Sequence, residues 1–284
     1  MTFSETPEKI ISTYYPSIRL HSIKISEKID ITTLSTSEGE YVLKKHPKYI
    51  APNIQYLEHI IRSCSVNNLT PEHISSKTGS IFVCDSGCIY SLQKKINALK
   101  TETDPVLIGE QIASLHKVLQ NIKGSMLQNH LERTTNKKHD IDYYARMYGY
   151  HEPIKHIKTI KKNFQIIHGD IHENNILVSS DKFFFIDFDC ATFFSPITDV
   201  AFAGFRLFNN DLLKIQTYIK TYNRYSNFPD IKLKDIWHSL VYTVLQRILF
   251  IRIMSDQGYT KWVDDLQNQE EYLEKILKNK SLFS

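Results

Sequence analysis

Residues 164–189 read FQIIHGDIHENNILVSSDKFFFIDFD, and the rest of the chain is interpreted outward from this stretch. Three short apolar runs, 164–167, 176–178 and 183–186, have strand length and are rich in β-branched or aromatic residues. A polar loop, 168–175, separates the first two. Ser179-Ser180-Asp181-Lys182 separates the second from the third and is a turn signal that folds them into a hairpin. Polar side chains therefore collect at strand ends, where a scaffold can aim them at a ligand.

The spacing carries the chemistry. His168, Asp170 and Asn175 reproduce H-x-D-x-x-x-x-N, and Asp187 follows after a strand in Ile-Asp-Phe-Asp. This is the order of a kinase catalytic loop and its metal-binding Asp. Phosphoryl transfer to a hydroxyl needs one carboxylate to accept the proton and oxygen ligands to hold Mg²⁺ on the phosphates.

On HGDIHENN followed by IDFD, the chain resembles the aminoglycoside phosphotransferase and choline kinase superfamily, a phosphotransferase enzyme family of protein-kinase-like fold. Asp199, in ITDVAFAG, sits where that family places a helix-starting Asp that steadies the catalytic loop. For any one of these residues the plain alternative is a strand with a charged end. What argues for the resemblance is that all the polar positions fall in register, with strands in both required places. A metal cluster of His168, Asp170, His172 and Glu173 is a second alternative, since D-x-H opens the metallophosphoesterase site. That site also needs Gly-Asp and Gly-Asn-His elements downstream, and after Asp187 the only glycines are Gly204 and Gly258.

Composition fits a soluble chain: 284 residues, 42% hydrophobic, 23% charged, with a net charge of +4. The basic residues are scattered, so no nucleic-acid partner is expected. Cys64, Cys84, Cys88 and Cys190 include no C-x-x-C pair, and the N-terminus lacks a basic start with a long apolar core. The most hydrophobic segment, 240–254, is interrupted by Gln246, Arg247 and Arg252. A cytoplasmic protein with reduced thiols and no membrane partner is expected.

From Ile18 to about Lys95 the texture is strand-like. Residues 17–25 alternate apolar with polar, 29–36 are rich in β-branched residues, and 39–45 follow a turn, together predicting an antiparallel meander. Ser80 to Cys84 and Cys88 to Leu92, around Asp85-Ser86-Gly87, predict a further hairpin. Pro52 to Cys64 reads as a helix with Ile54, Leu57, Ile61 and Cys64 on one stripe. The resemblance implies that Lys44 contacts the α/β-phosphates, that Glu58 on this helix pairs with it, and that the strand end Gln93-Lys94-Lys95 is the hinge beside the adenine. Ser26-Glu27-Lys28 replaces the glycine-rich loop of protein kinases, so the phosphate-covering loop is not identified.

Beyond about Ile96 helices take over. Asp104-Pro105 opens one, with Ile108, Ile112, Leu115, Leu119 and Ile122 in helical register and Gly124 at its close. His116 beside this stripe reads as a satisfied core histidine. The basic run 155–162 reads as a solvated helix face. Segments 212–225, 233–255 and 262–277 show three-to-four spacing, and Asp264, Asp265, Glu270, Glu271 and Glu274 form either an ordinary charged face or an acidic wall for a cationic acceptor.

The expectation is an α+β, two-lobed protein-kinase-like fold, with an antiparallel-sheet small lobe at 1–95 and a mainly helical lobe at 96–284. Following the resemblance, the reaction is transfer of the γ-phosphoryl of ATP or GTP to a hydroxyl of a small molecule. Asp170 is the base, His168 braces its loop, Asn175 and Asp187 hold Mg²⁺, and Asp189 is a further metal ligand. His172 and Glu173 are substrate-facing candidates. An aminoglycoside-type acceptor, with antibiotic resistance as its consequence, heads the options; a homoserine- or choline-type metabolite kinase and a nucleotide-binding pseudokinase are the alternatives.

Overall fold

The computed structural model describes residues 6–25, 30–99, 104–123, 147–148, 164–179, 182–209, 211–228, 230–256, 258, 263–278 and 280. The turn at 26–28 and the basic run 155–162 lie outside these residues. The chain divides into two compact units, Met1–Thr101 with Asn174–Cys190, and Glu102–Glu173 with Ala191–Ser284.

The first unit is built on an antiparallel sheet. Its strands are β1 (Leu20–Ile25), β2 (Ile31–Thr36), β3 (Gly39–His46), β4 (His73–Ile74), β5 (Phe82–Asp85) and β6 (Cys88–Lys94), in the order β1-β2-β3-β6-β4 with β5 also alongside β6. Side chains alternate across β3: Tyr41 and Leu43 turn into the core, which leaves Lys44 and His46 on the opposite face. Ser86 and Gly87 both take positive φ, 48° and 73°, giving the β5–β6 hairpin the two left-handed residues that its tight turn requires.

An N-terminal helix, α1 (Pro7–Tyr14), is capped by Thr6 and starts at a proline that needs no N–H partner. It lays Ile10 and Ile11 on Leu34, Tyr41, Leu43, Val83, Tyr90 and Leu92 of the sheet. The expected helix after β3 is split: Pro52 falls in a 3₁₀ turn, Lys48–Asn53, and α2 runs Ile54–Val66, burying Leu57, Ile60, Ile61 and Cys64.

The hairpin of β8 (Ile176–Val178) and β9 (Phe183–Phe185), numbered after β7 of the second unit, also belongs to the first unit. Its backbone is tied there at both edges: Leu99 N–H donates to Val178 C=O and Phe185 N–H donates to Leu69 C=O, each at 2.7 Å. A cut of the chain near residue 96 therefore does not follow this grouping, because these ladder bonds draw the catalytic hairpin to the sheet side.

The second unit is mostly helical: α3 (Pro105–Gln120), α4 (Pro196–Phe208), α5 (Leu212–Tyr225), α6 (Leu233–Asp256) and α7 (Val263–Lys278), with β7 (Gln165–Ile167) paired to β10 (Thr192–Phe194). Asp104 caps α3 by accepting the Val106 N–H at 2.8 Å. Gly109 lets α3 approach α5 closely, since a Cβ there would stand 2.8 Å from Tyr218 O and 2.9 Å from Thr221 Cβ. The α6 helix is buried through most of its length and packs against α4 and α7. Among the described residues no helix is long and apolar enough to cross a membrane.

Candidate active site

Within the first unit, β3, β6 and the open end of the β8–β9 hairpin bring together the residues expected to handle a nucleotide. Ile186 N–H donates to Asn175 C=O at 3.0 Å, so Asn175 and Asp187 stand at adjacent strand ends. Asp187 holds φ of +66°, a conformation that non-glycine residues rarely adopt and that marks a backbone held by its surroundings. Its side chain keeps 40% exposure and lies 2.8 Å from Lys44 Nζ.

Lys44 has a second anionic partner, Asp189 Oδ2, at 2.7 Å. Burial by itself would lower the Lys44 pKa, but the charges of Asp189 and Asp187 and their hydrogen bonds outweigh it and leave the ammonium above its usual range. The other oxygen of Asp189 meets His46 Nδ1 at 2.8 Å, and His46 Nε2 meets Ser91 Oγ at 2.7 Å. Asp189 is buried, which would push its pKa up; His46 and Lys44 overcome this and hold its carboxyl well below the usual carboxylate range. With both oxygens engaged inside the protein, Asp189 is an anchor for Lys44 and not an open ligand. Neither His46 nor Ser91 was foreseen from sequence; the one available signal was the i, i+2 spacing of Lys44 and His46 on a single strand face.

The expected Lys44–Glu58 pair is not formed. The Glu58 carboxylate accepts from Arg62 Nη2 at 2.6 Å, Ser80 Oγ at 2.6 Å and the Ile81 N–H at 3.2 Å, so it ties α2 to the chain before β5. One helical turn of separation makes Arg62 its nearest cation. Lys95 pairs with Glu40 Oε2 at 3.0 Å and its N–H donates to Glu40 C=O at 2.9 Å. Gln93 is half-buried in β6, opposite Val42 and His73.

Within the second unit, the loop after β7 is clamped from below. Asp199, in the first turn of α4, accepts the N–H of His168 at 2.8 Å and of Gly169 at 2.9 Å, one on each oxygen. His116 Nε2 reaches the same carboxylate at 3.2 Å while its Nδ1 meets Tyr222 Oη at 2.8 Å. A carboxylate only accepts, so Nε2 carries the proton and the Tyr222 hydroxyl donates to Nδ1. His168 is fully buried, and its Nδ1 accepts the Asp170 N–H at 3.3 Å. Gly169, at φ of +81°, supplies the left-handed turn that carries the chain from His168 to Asp170.

The Asp170 carboxylate then faces Arg247 of α6, whose Nη2 bonds Oδ1, and His172, whose Nε2 lies 3.6 Å from Oδ2. Burial would raise the Asp170 pKa; the Arg247 charge, with His172, outweighs this and keeps the carboxyl well below the usual carboxylate range. Glu173 pairs with Arg206 Nη2 at 2.8 Å. Arg247 was invisible in sequence as anything but an interruption of an apolar run, because nothing local marks which helical arginine will reach a loop 77 residues upstream.

The sequence profile of the phosphotransferase enzyme family matches residues 33–226. The chain belongs to that family. It is a phosphotransferase of the aminoglycoside phosphotransferase and choline kinase type, and the kinase-like α+β fold follows from solved structures as well as from the profile. The amicoumacin kinase in complex with AMP-PNP, Ca²⁺ and Ami is similar at 12% identity and TM-score 0.67, over 97% of this chain and 93% of that one. The choline kinase LicA from Streptococcus pneumoniae is similar at 15% identity and TM-score 0.66, over 96% and 97%. A microcompartment-associated aminopropanol kinase is similar at 15% identity and TM-score 0.66, over 98% of each. No curated protein sequence gives a match.

Proposed function

We propose that this phosphotransferase moves the γ-phosphoryl of ATP or GTP to a hydroxyl of a small molecule. The observation that carries the reading is the 2.8 Å contact of Lys44 with Asp187 beside Asn175, a phosphate-seeking cation next to two oxygen ligands at one hairpin end. Hard oxygen donors in this number suit Mg²⁺, which takes one or two protein groups and completes its shell with waters and phosphates. Among the described residues no cluster of three His, Cys, Asp or Glu forms an all-protein cage. When bound, Mg²⁺ would bridge the phosphates and neutralise their developing charge.

Lys44, held by Asp187 and Asp189, would take the phosphates, and the β6 end with Gln93 and Lys95 would present backbone groups to the base. Asp170 would align the acceptor hydroxyl and take its proton as the oxygen–phosphorus bond forms and ADP or GDP leaves. His168, through the Asp199 clamp, would position Asp170; His172 and Glu173 would border the acceptor. An aminoglycoside-type acceptor leads on the names of the structural relatives, with a homoserine- or choline-type metabolite as the alternative. The phosphoryl donor supports a cytoplasmic setting. A pseudokinase is disfavoured because Asp170, Asn175 and Asp187 are all retained.

The test is ADP or GDP release by purified protein with Mg·ATP or Mg·GTP and a panel of aminoglycosides, macrolides, amino alcohols, sugars and homoserine. Acceptor-dependent release is the expected result; nucleotide binding without release for any alcohol would favour the pseudokinase.

A further inference from the structure

The surroundings of Asp170 in the second unit are those of a site for an anion, not for a polycation. Arg247 lies over the Phe202 ring, 3.9 Å from its centroid, which fixes the plane of the guanidinium. Only Nη2 is committed, to Asp170; among the described residues the remaining N–H groups meet no acceptor. The Tyr272 hydroxyl is buried with no hydrogen-bond partner among the described residues, its ring is edge-on to Phe205 at 4.6 Å, and it lies within electrostatic reach of Arg206, Arg247 and Glu173. A guanidinium can only donate, and a phenol hydroxyl donates readily, so these open groups call for a ligand rich in acceptor oxygens.

The acids of α7 do not form the opposing wall that a cationic acceptor would need. Glu270 is taken by Arg252 at 2.5 Å and by Tyr148 at 2.7 Å. Asp265 accepts from Gln269, Glu271 from Gln267 and Glu274 pairs with Lys278, each within the helix. A cationic acceptor would also meet the Arg247 guanidinium where its hydroxyl must enter.

We propose that the acceptor is a hydroxy compound carrying a carboxylate or phosphate, which Arg247 grips through its open N–H groups with the Tyr272 hydroxyl, beside the hydroxyl received by Asp170. This rests on Asp170 being the acceptor-side base. The same grip couples recognition to chemistry: an anion competing for Arg247 loosens its hold on Asp170 and makes that carboxylate a better proton acceptor.

The test compares matched alcohols by ADP release with Mg·ATP: γ-hydroxybutyrate against its amide and against aminobutanol, and glycerol phosphate against glycerol. In the wild type one anionic member is expected to exceed its neutral and cationic counterparts by roughly 10 to 100-fold in kcat/KM, the scale of a charge-assisted contact. Which anion wins separates carboxylate from phosphate. Arg247→Met should erase the preference, and Arg247→Lys, which keeps the charge without the fork, should retain part of it. Neutral or cationic members matching the anions, or an anion preference surviving in a folded Arg247→Met, would overturn the inference. If no alcohol supports release from protein that binds Mg·ATP, the phosphotransferase reading fails instead. The anion inference is then decided by the Arg247 Nε–H resonance in NMR, which acetate or inorganic phosphate should shift and ethylammonium should not; an unmoved resonance sinks it.

Discussion

Lys44 Nζ lies 2.7 Å from Asp189 Oδ2, and the carboxylate that holds it is itself held by His46. In this chain the counter-ion that positions the strand lysine therefore comes from two residues past Asp187 and not from α2. Because Asp187 and Asp189 share Lys44, the orientation of the IDFD segment and that of the lysine are set together.

Asp189→Asn should therefore act through Lys44. The variant loses a buried, doubly bonded charge, so stability should fall by about 1 to 3 kcal/mol and Mg·ATP affinity by roughly tenfold. Adenosine affinity should hardly move. Excess Mg²⁺ should restore nothing, since Asp189 has no oxygen to offer a cation. Calorimetric titration across a Mg²⁺ series decides it, and recovery of affinity at high Mg²⁺ would return Asp189 to the metal ligands.

Asp170 and Asp187 share a side-chain type and divide the work. Asp170→Asn keeps the shape and removes the base, so kcat should fall on the order of 10² to 10⁴-fold with Mg·ATP affinity nearly unchanged. Asp187→Asn should weaken Mg²⁺-dependent nucleotide binding along with turnover, and added Mg²⁺ should recover part of both. Steady-state kinetics with nucleotide titration separates the two; a magnesium-sensitive Asp170→Asn would reverse the assignment.

The Asp199 clamp is a positioning device. Asp199→Asn replaces one acceptor oxygen by an amide NH₂ among three donors, the N–H groups of His168 and Gly169 and His116 Nε2. A loss of about 1 to 3 kcal/mol in stability follows from the unmatched donors. Turnover should drop through kcat, with the Mg·ATP dissociation constant retained, because the displaced loop carries Asp170 and no nucleotide-side residue. Equal loss of kcat and nucleotide affinity would mean the clamp has a wider structural role.

Much of this was legible because the informative residues are close in sequence. HGDIHENN and IDFD put the base, the amide and the carboxylate at strand ends by spacing alone, and the strands β1 to β3 and helices α5 to α7 announced themselves by period. What stayed hidden was decided by tertiary approach. Glu58 read as the partner of Lys44, yet Arg62 one turn along its helix and the Ser80–Ile81 backbone captured it first. Arg247 and Tyr272 lie on helices whose amphipathic pattern says which face is buried but not which loop it meets. The three-residue β10 was too short for any periodicity, and α1 was passed over because the N-terminus was examined only for a targeting signal.

Acid should destabilise the protein in two stages, and the sign follows from which state binds protons. His73, half-buried in β4 with its Nδ1 3.0 Å from Pro71 C=O, has its pKa lowered from 6.5 to about 4 by burial, with His46 and Lys44 adding to the effect. Between those values the unfolded chain takes up a proton that the folded chain refuses, so stability is full above pH 6.5 and declines as pH falls toward 4. Asp170 and Asp189, held below the usual carboxylate range, keep their contributions until pH drops through that ordinary range, and lose them progressively below it. His73→Gln, which preserves polarity without titrating, should flatten the upper stage and leave the lower one. Thermal midpoints measured from about pH 7.5 down to about pH 3 give both slopes, since linkage converts each proton bound differently into a shift with pH. An unchanged slope in the variant between pH 6.5 and 4 would show that His73 is protonated as readily in the folded sheet as in the unfolded chain.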